Sequence, residues 1–487
     1  MKSISCFRYT AIVFVFIPLA LCALTRGATA QGVIIPTDET QTDFLRAYQF
    51  AFTRASTDHR FTNSTMDTTL FPRWGEYSVY WVKSGPRRGS FVYPDTPPSN
   101  YASVAREPYA KYDWRAEDHL ALSFKAYSNA VAIFRSEMRS AGGSASWEAV
   151  YFRNFFDAFF YSGISYHIDE RRIDSVGLSW ATQLLIIPSF SMYGEDARFY
   201  VDSMFAAMPR LAERLQSFLA RGGTIYTEGN ALYVIEKLGI LPESTVDYRE
   251  GILPDPESGT VELDILPSLN PLSRTTDGAG SVIHASRLPV VHPEGADIIA
   301  RERGSSIPVV FSYSGESAFG GKIVCNTALP AVGGSGGMLP DDSTNAARQF
   351  QWILNTMVYA FGTNIDVTRS VYNELPDTLS VGRNAASFDR RDSLEIRVTV
   401  RNLSSVPIDG IEIREGIREF FDFIDVITPD VEHEYRNGYL YFRNLSIAPH
   451  AERVIAYRIS TPNPEDTRHE NVDRWISWSS YIYASYN

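Results

Sequence analysis

Cysteine is nearly missing from this chain: its 487 residues hold three, Cys6, Cys22 and Cys325. The first two lie in an N-terminal stretch with the features of a removable leader, so a single thiol remains and no internal disulfide can form. That excludes a disulfide-stapled secreted module and leaves stability to apolar cores. Histidine is scarce too, with 8 copies and no His-x-x-His spacing. His167, beside Asp169 and Glu170, lacks the further ligands of a zinc site, and Asp169-Glu170-Arg171-Arg172 is expected to be a solvated, salt-bridged loop. Positive charge is in deficit, Lys+Arg 45 against Asp+Glu 57. Such a surface repels phosphate backbones and argues against nucleic-acid binding. Gly333 to Gly337 has the composition of a phosphate cradle but no Lys-Ser/Thr ending, so neither nucleotide nor other cofactor is expected. Beyond the leader, no apolar run is long enough to span a membrane.

What is present starts with that leader. Lys2 and Arg8 precede an apolar core from Ala11 to Ala23, and Ala28-Thr29-Ala30 forms a small-residue cleavage site before Gln31. Residues 1–30 are therefore expected to be a signal peptide, and the mature protein to be periplasmic, at the cell surface or extracellular. Leu21 is too large for the usual lipidation signal at Cys22. Removing the leader takes away Lys2, Arg8 and Arg26 and no acid, which leaves 42 basic against 57 acidic residues, a net charge of −15. The sequons at Asn63, Asn402 and Asn444 matter only in a host that glycosylates its secreted proteins.

The rest divides into three parts. Residues 31–117 are aromatic and turn-rich, an N-terminal elaboration with a short helix over 44–55 and strands over 76–83 and 90–93. From 118 to 365 strands and helices alternate. Strands are expected at 130–134, 164–168, 184–187, 224–227, 307–313 and 322–326, and helices at 146–161, 197–220 with a break at Pro209, 231–238 and 345–361. Residues 241–305 interrupt this rhythm as an insertion. The expected fold class is a doubly wound α/β sheet followed, over 366–487, by an all-β sandwich. There, Leu394, Ile396, Val398 and Val400 share one face, Asn437-Gly438 signals a hairpin, and Trp475 to Tyr486 forms a last aromatic strand.

Two segments resemble known families. The Leu184–Pro188 strand, the Phe218-Leu219-Ala220-Arg221-Gly222-Gly223-Thr224 joint and the Thr227-Glu228-Gly229-Asn230 elbow resemble the flavodoxin-like, class I glutamine amidotransferase-like superfamily. Catalytic members carry Cys-x-Gly at the elbow and a histidine with an acid after the last strand. Here Thr227 or Glu228 takes the nucleophile position, and Cys325-Asn326-Thr327-Ala328-Leu329-Pro330 offers no histidine. The resemblance thus implies the fold without the family's chemistry. Val398-Thr399-Val400-Arg401-Asn402-Leu403-Ser404-Ser405 and Leu445-Ser446-Ile447-Ala448-Pro449-His450-Ala451-Glu452 resemble immunoglobulin-like repeats of bacterial surface and secreted proteins, which act as spacers or adhesion modules.

Candidate site residues follow from where such sheets place their chemistry, beyond the carboxyl ends of the strands. Thr227 is the candidate nucleophile, with Glu137 or Glu228 as candidate base. Ser136, Asp169, Ser189, Asn230 and Asn326 are candidate ligand-binding residues. No metal site is expected, and Cys325 fits a small buried hydrophobe. His284 and His292 could face the pocket from the insertion. The leading reading is an exported, non-catalytic binding or scaffolding protein. Its partner would be a protein or glycan of the envelope or exterior, or a second copy of the chain as a homo-oligomer. One alternative is an exported hydrolase with Glu137 and Glu228 as paired carboxylates about 5–10 Å apart. The other is a carbohydrate-binding accessory protein, suggested by Trp74, Tyr80 and Trp81 as exposed aromatics.

Overall fold

The computed structural model describes residues 32–37, 41, 44–57, 79–93, 107–109, 117–122, 129–136, 147–160, 163–179, 181–190, 194–252, 260–274, 282–284, 288–328, 351–373, 393–417, 421–460 and 482–485. The leader, Asn63, Trp74, Glu137, the Gly333–Gly337 loop and residues 345–350 lie outside them.

The centre is a nine-stranded sheet. In chain order its elements are β1 (Val131–Phe134), α1 (Trp147–Phe159), β2 (Ser165–Ile168), α2 (Glu170–Val176), β3 (Leu184–Ile187), α3 (Gly194–Ala207), α4 (Leu211–Ala220), β4 (Thr224–Glu228) and α5 (Leu232–Lys237). There follow β5 (Thr260–Ile265), β6 (Val282–His284), β7 (Asp297–Glu302), β8 (Pro308–Ser314), β9 (Lys322–Asn326) and α6 (Gln351–Phe361). The strands lie in the order β6-β5-β7-β8-β9-β4-β3-β1-β2. β9, β4, β3, β1 and β2 are mutually parallel. Chain direction across the sheet reverses between β1 and β3, which is the flavodoxin-like arrangement.

Every residue of β1, β3 and β4 is buried, because helices cover both faces of a parallel sheet. Val131, Ile133, Leu184, Ile186 and Tyr226 share one core with Phe152 and Phe155 of α1 and Trp352 and Met357 of α6. Ala132, Leu185, Ile187, Ile225 and Cys325 share the other with Ile173, Val201, Leu215 and Leu232 of α2 to α5. The expected break at Pro209 separates α3 from α4. α4 ends in a Schellman turn: Gly222, at φ +86, donates to Leu219 O at 2.8 Å and Gly223 to Phe218 O at 3.0 Å.

Residues 241–305 contribute three further strands to the central sheet. β5, β6 and β7 extend the sheet antiparallel through β8, covering an edge that would otherwise present unpaired backbone groups. Asp247–Ile252 and Leu288–Val290 form a separate two-stranded ribbon.

The N-terminal region builds a six-stranded antiparallel sheet in the order Gly362–Thr363, His119–Leu122, Val79–Val82, Phe91–Tyr93, Gly32–Ile35, Glu107–Tyr109. Two of its strands come from residues beyond 118, so the strands group differently from the expected division there. Tyr80 and Trp81 are not exposed aromatics, being 3% and 2% accessible. Trp81 packs with Phe91 and Tyr48 on the α/β side. Tyr80 turns the other way, to Ala121 and to Leu403 of the C-terminal region.

That region consists of two four-stranded antiparallel sheets. One orders Ile365–Asn373, Ser393–Asn402, Glu452–Ser460 and Asp422–Val426; the other orders Glu432–Arg436, Tyr439–Ile447, Ile408–Gly416 and Ile482–Ser485. Ile396, Val398 and Val400 meet Ile411, Ile413, Leu440 and Phe442 in a shared core. Asn437 and Gly438 both have positive φ, +51 and +77, as a two-residue type I′ hairpin requires. The aromatic C-terminal segment pairs with Ile408–Gly416 through Ile482–Ser485. Asn402 is 1% accessible, and its amide bonds to the carbonyls of Val406, Ile447 and Ala448, so that sequon is closed to modification in the folded protein.

β4 and β9 start from two glycines in close contact. A Cβ on Gly321 would lie 2.6 Å from Gly223 O and 2.7 Å from Leu219 O, both backbone atoms that no side-chain rotation relieves. Gly321→Ala is expected to lower the unfolding free energy by more than about 2 kcal/mol, measured by urea denaturation. Gly295→Ala, whose added methyl meets open space at φ +71, should lower it by about 1 kcal/mol, the strain of its backbone alone.

Candidate functional site

In a sheet of this order, ligands bind beyond the strand carboxyl ends near the β1/β3 reversal. Ser136 follows β1 and is 8% accessible; the Tyr200 hydroxyl of α3 donates to its Oγ. Burial, reinforced by the charge of Glu170 and opposed by Ser136, pushes the Tyr200 pKa up to about 12. Asp169 ends β2 as the N-cap of α2, its Oδ1 accepting from Arg172 N at 2.8 Å. The expected solvated loop is therefore a helix start. Arg171 and Arg172 are exposed, but Glu170 is fully buried.

Ser189 follows β3 and donates to Asn230 Oδ1 at 2.9 Å. The same oxygen accepts Phe190 N at 2.6 Å, and Asn230 Nδ2 donates to Phe190 O at 2.9 Å. Asn230 thus imitates a strand neighbour for the chain leaving β3 and ties it to the β4 elbow. Ser136, Ser189 and Asn230 gather around this reversal point; Asn326 belongs to a second group.

Thr227 and Glu228, expected at the exposed elbow, are both 0% accessible. Successive strand residues face opposite sides. Thr227 lies between Ile187 and Cys325, its register neighbours on the parallel strands. Cys325 behaves as the expected buried thiol, raised by burial to about 12 against the opposing influence of Thr227. Glu228 faces the other layer, where Tyr226 donates to its Oε1 at 2.8 Å. Asn326, beside Glu228 in the register, directs Nδ2 at the Tyr226 hydroxyl at 3.5 Å and accepts Ala328 N at 3.0 Å. Burial, then the Glu228 charge, pushes the pKa of Tyr151 up to about 12 and that of Tyr226 well above its ordinary value.

The elbow's turning point is Gly229, at φ +50. Glu228 keeps an extended conformation, φ −123 and ψ 144. The residue in the left-handed conformation, where a strand-to-helix elbow holds its protruding side chain, has none. Since Thr227 and Glu228 lie on opposite sides of the sheet, neither can serve the other as base.

His167 contacts Ala149 O through Nε2 at 3.1 Å, and burial lowers its pKa. Among the described residues, no three His, Cys, Asp or Glu side chains converge as a metal site. An open cleft of about 290 Å³ is lined by Pro242, Ser244, Thr245, Asp247, Val290, His292 and Glu294. His292 is exposed there, whereas Cys325 is fully buried, so the two form no dyad. The His284 side chain lies outside the described part.

Sequence reasoning missed Tyr151, Tyr200, Tyr226 and Glu170. Tyr226 carried the one available signal, since it shares strand parity with Glu228.

No family model and no curated protein matches this chain. Among solved structures it is similar to a β-galactosidase from Bacillus circulans sp. alkalophilus, at 13% identity and TM-score 0.29, covering 68% of this chain and 41% of that one. It is similar to a chain of PurLQS from Thermotoga maritima at 15% identity and TM-score 0.30, covering 47% and 99%. A GMP synthase component from Thermoplasma acidophilum matches at 12% identity and TM-score 0.28, covering 47% and 96%. Likenesses this weak carry no functional argument; strand order and register carry the fold. No helix among the described residues is long and apolar enough to cross a membrane.

Asn230→Ala removes all three bonds to residues 189–190 and leaves the buried Phe190 peptide groups without them. It is expected to destabilise the protein by about 2–4 kcal/mol. Thr227→Val keeps the shape and deletes a buried hydroxyl with no partner beyond the weakly bonding Cys325 thiol. It should change stability by less than about 1 kcal/mol. Chemical denaturation of both variants measures this contrast.

Proposed function

We propose that this chain is an exported, non-catalytic binding or scaffolding protein of the bacterial envelope or exterior. On this reading its centre is a degenerate glutamine amidotransferase-like domain and its C-terminal sandwich an immunoglobulin-like module. The observation that carries the proposal is the glycine at the elbow's turning point, preceded by two buried side chains, Thr227 and Glu228, directed to opposite layers. Nucleophilic catalysis needs a side chain at the edge with a base in hydrogen-bond reach. Here the polar groups of that edge are joined to one another, Ser189 to Asn230 and Tyr226 to both Glu228 and Asn326. The acidic surface favours a protein or glycan partner over nucleic acid.

The purified mature chain should show no turnover above a buffer control on glutamine, peptide and glycoside panels. Turnover that survives Thr227→Val but disappears in Glu228→Gln would overturn the proposal and make the buried carboxyl a catalytic group.

A further inference from the structure

The C-terminal sandwich carries a strand with an open side. Glu432–Arg436 is the outermost strand of its sheet, and among the described residues no strand pairs with its far side. Its register with Tyr439–Ile447 runs without a shift over all five residues, ending at Arg436 opposite Tyr439. A two-residue hairpin closes on a hydrogen-bonded pair, here Arg436 and Tyr439. Bonded and non-bonded pairs then alternate, so Glu434 and Glu432 also bond inward. The N–H and C=O groups of His433 and Tyr435 face outward. The Asp422–Val426 strand, which ends the other sheet, is blunted by a bulge between Phe423 and Asp425. Glu432–Arg436 has no such irregularity.

Its side chains are accessible: Tyr435 is 41% exposed, and Glu432, His433 and Arg436 are exposed too. Tyr435 packs on Phe423 of the other sheet with ring centroids 5.0 Å apart, and His433 meets the same ring at 6.5 Å. The edge thus has an aromatic rim on its core side. On its outer side the charge is negative at Glu432 and Glu434 and positive at Arg436. Arg443 of the neighbouring strand donates to Glu434 at 2.8 Å.

We infer that two copies of this chain join through this edge, with their Glu432–Arg436 strands antiparallel about a two-fold axis at Glu434. The same strand read in reverse brings Arg436 of each copy opposite Glu432 of the other, so the end charges are complementary twice over. His433 opposes Tyr435, which uses the outward backbone groups of both and extends the aromatic rim across the axis. The two Glu434 side chains meet at the axis, and each keeps its own Arg443 to offset their repulsion. A two-fold contact consumes the same edge on both copies, so it closes at a dimer and starts no fibre. None of this depends on whether the central sheet is catalytic.

The test is sedimentation velocity of the mature chain between about 1 and 300 µM, with far-UV circular dichroism to verify folding. A reversible monomer–dimer equilibrium is expected. Tyr435→Pro removes an outward N–H and leaves the inward ladder intact, and it should weaken the dimer at least about tenfold. Glu432→Arg and Arg436→Glu each set like charges against one another at both ends, and each should weaken it about tenfold. The double variant re-forms both opposite pairs and should return to within about threefold of the wild type. Should Tyr435→Pro lose its dichroism, the charge variants, exposed on the outer face, decide alone. A monomer at every concentration, a folded Tyr435→Pro that dimerises as tightly as the wild type, or a double variant no tighter than the single ones would each overturn the inference.

Discussion

Strand Val79–Val82 is apolar toward both sides, and the arrangement of the whole molecule depends on that. A strand at a protein surface alternates, with one face buried and the other wet. Here Val79 and Trp81 close the core shared with α1 and α6, while Tyr80 packs against Leu403 of the sandwich. The six-stranded sheet built on it thus fills the space between two modules. Gly362–Thr363, directly after α6, pairs into the same sheet and leads straight into the first sandwich strand. The sandwich is therefore seated by a hydrogen bond that Asp118 accepts from Ser405 and by those that Lys83 and Tyr80 donate to Asn364 and Asp366, where a spacer would hang from a linker.

How much of this was legible depended on whether the signal was local. The parallel strands at 130–134, 184–187 and 224–227 announce themselves as short runs between helices, because burial on both faces removes alternation. Pro209, Gly222-Gly223 and Asn437-Gly438 act through backbone conformation alone, and each does what its chemistry dictates. The antiparallel extension from 260 to 302 was not legible. Its strands are short and separated by Pro- and Gly-containing sequence, and only the long-range pairing of β7 with β8 gives them a place. Tyr80 and Trp81 failed similarly, since an aromatic pair in a strand does not reveal whether its second face meets water or another module.

The candidate site shows the same division. Sequence spacing placed Ser136, Asp169, Ser189, Asn230 and Asn326 at strand ends, and all five are there. What it could not provide was side-chain direction. A one-residue change in parity decides whether Thr227 or Glu228 faces α1, and the strand's extension to residue 228 moves the turning point onto Gly229. Both candidate groups then lie within layers of the sheet instead of at its rim.

An edge of this kind has a physical consequence for the fold. In a doubly wound sheet the carboxyl ends of the strands are where loops leave in different directions, so backbone groups there lack ladder partners and must find others. Catalytic proteins leave some of that demand to substrate or water. In this chain side chains meet it: Asn230 supplies both a donor and acceptors to residues 189–190, Asn326 closes the turn after β9, and Asp169 caps α2. Groups already joined this way are poorly placed to change partners during a reaction, because each change would leave a buried polar atom unsatisfied.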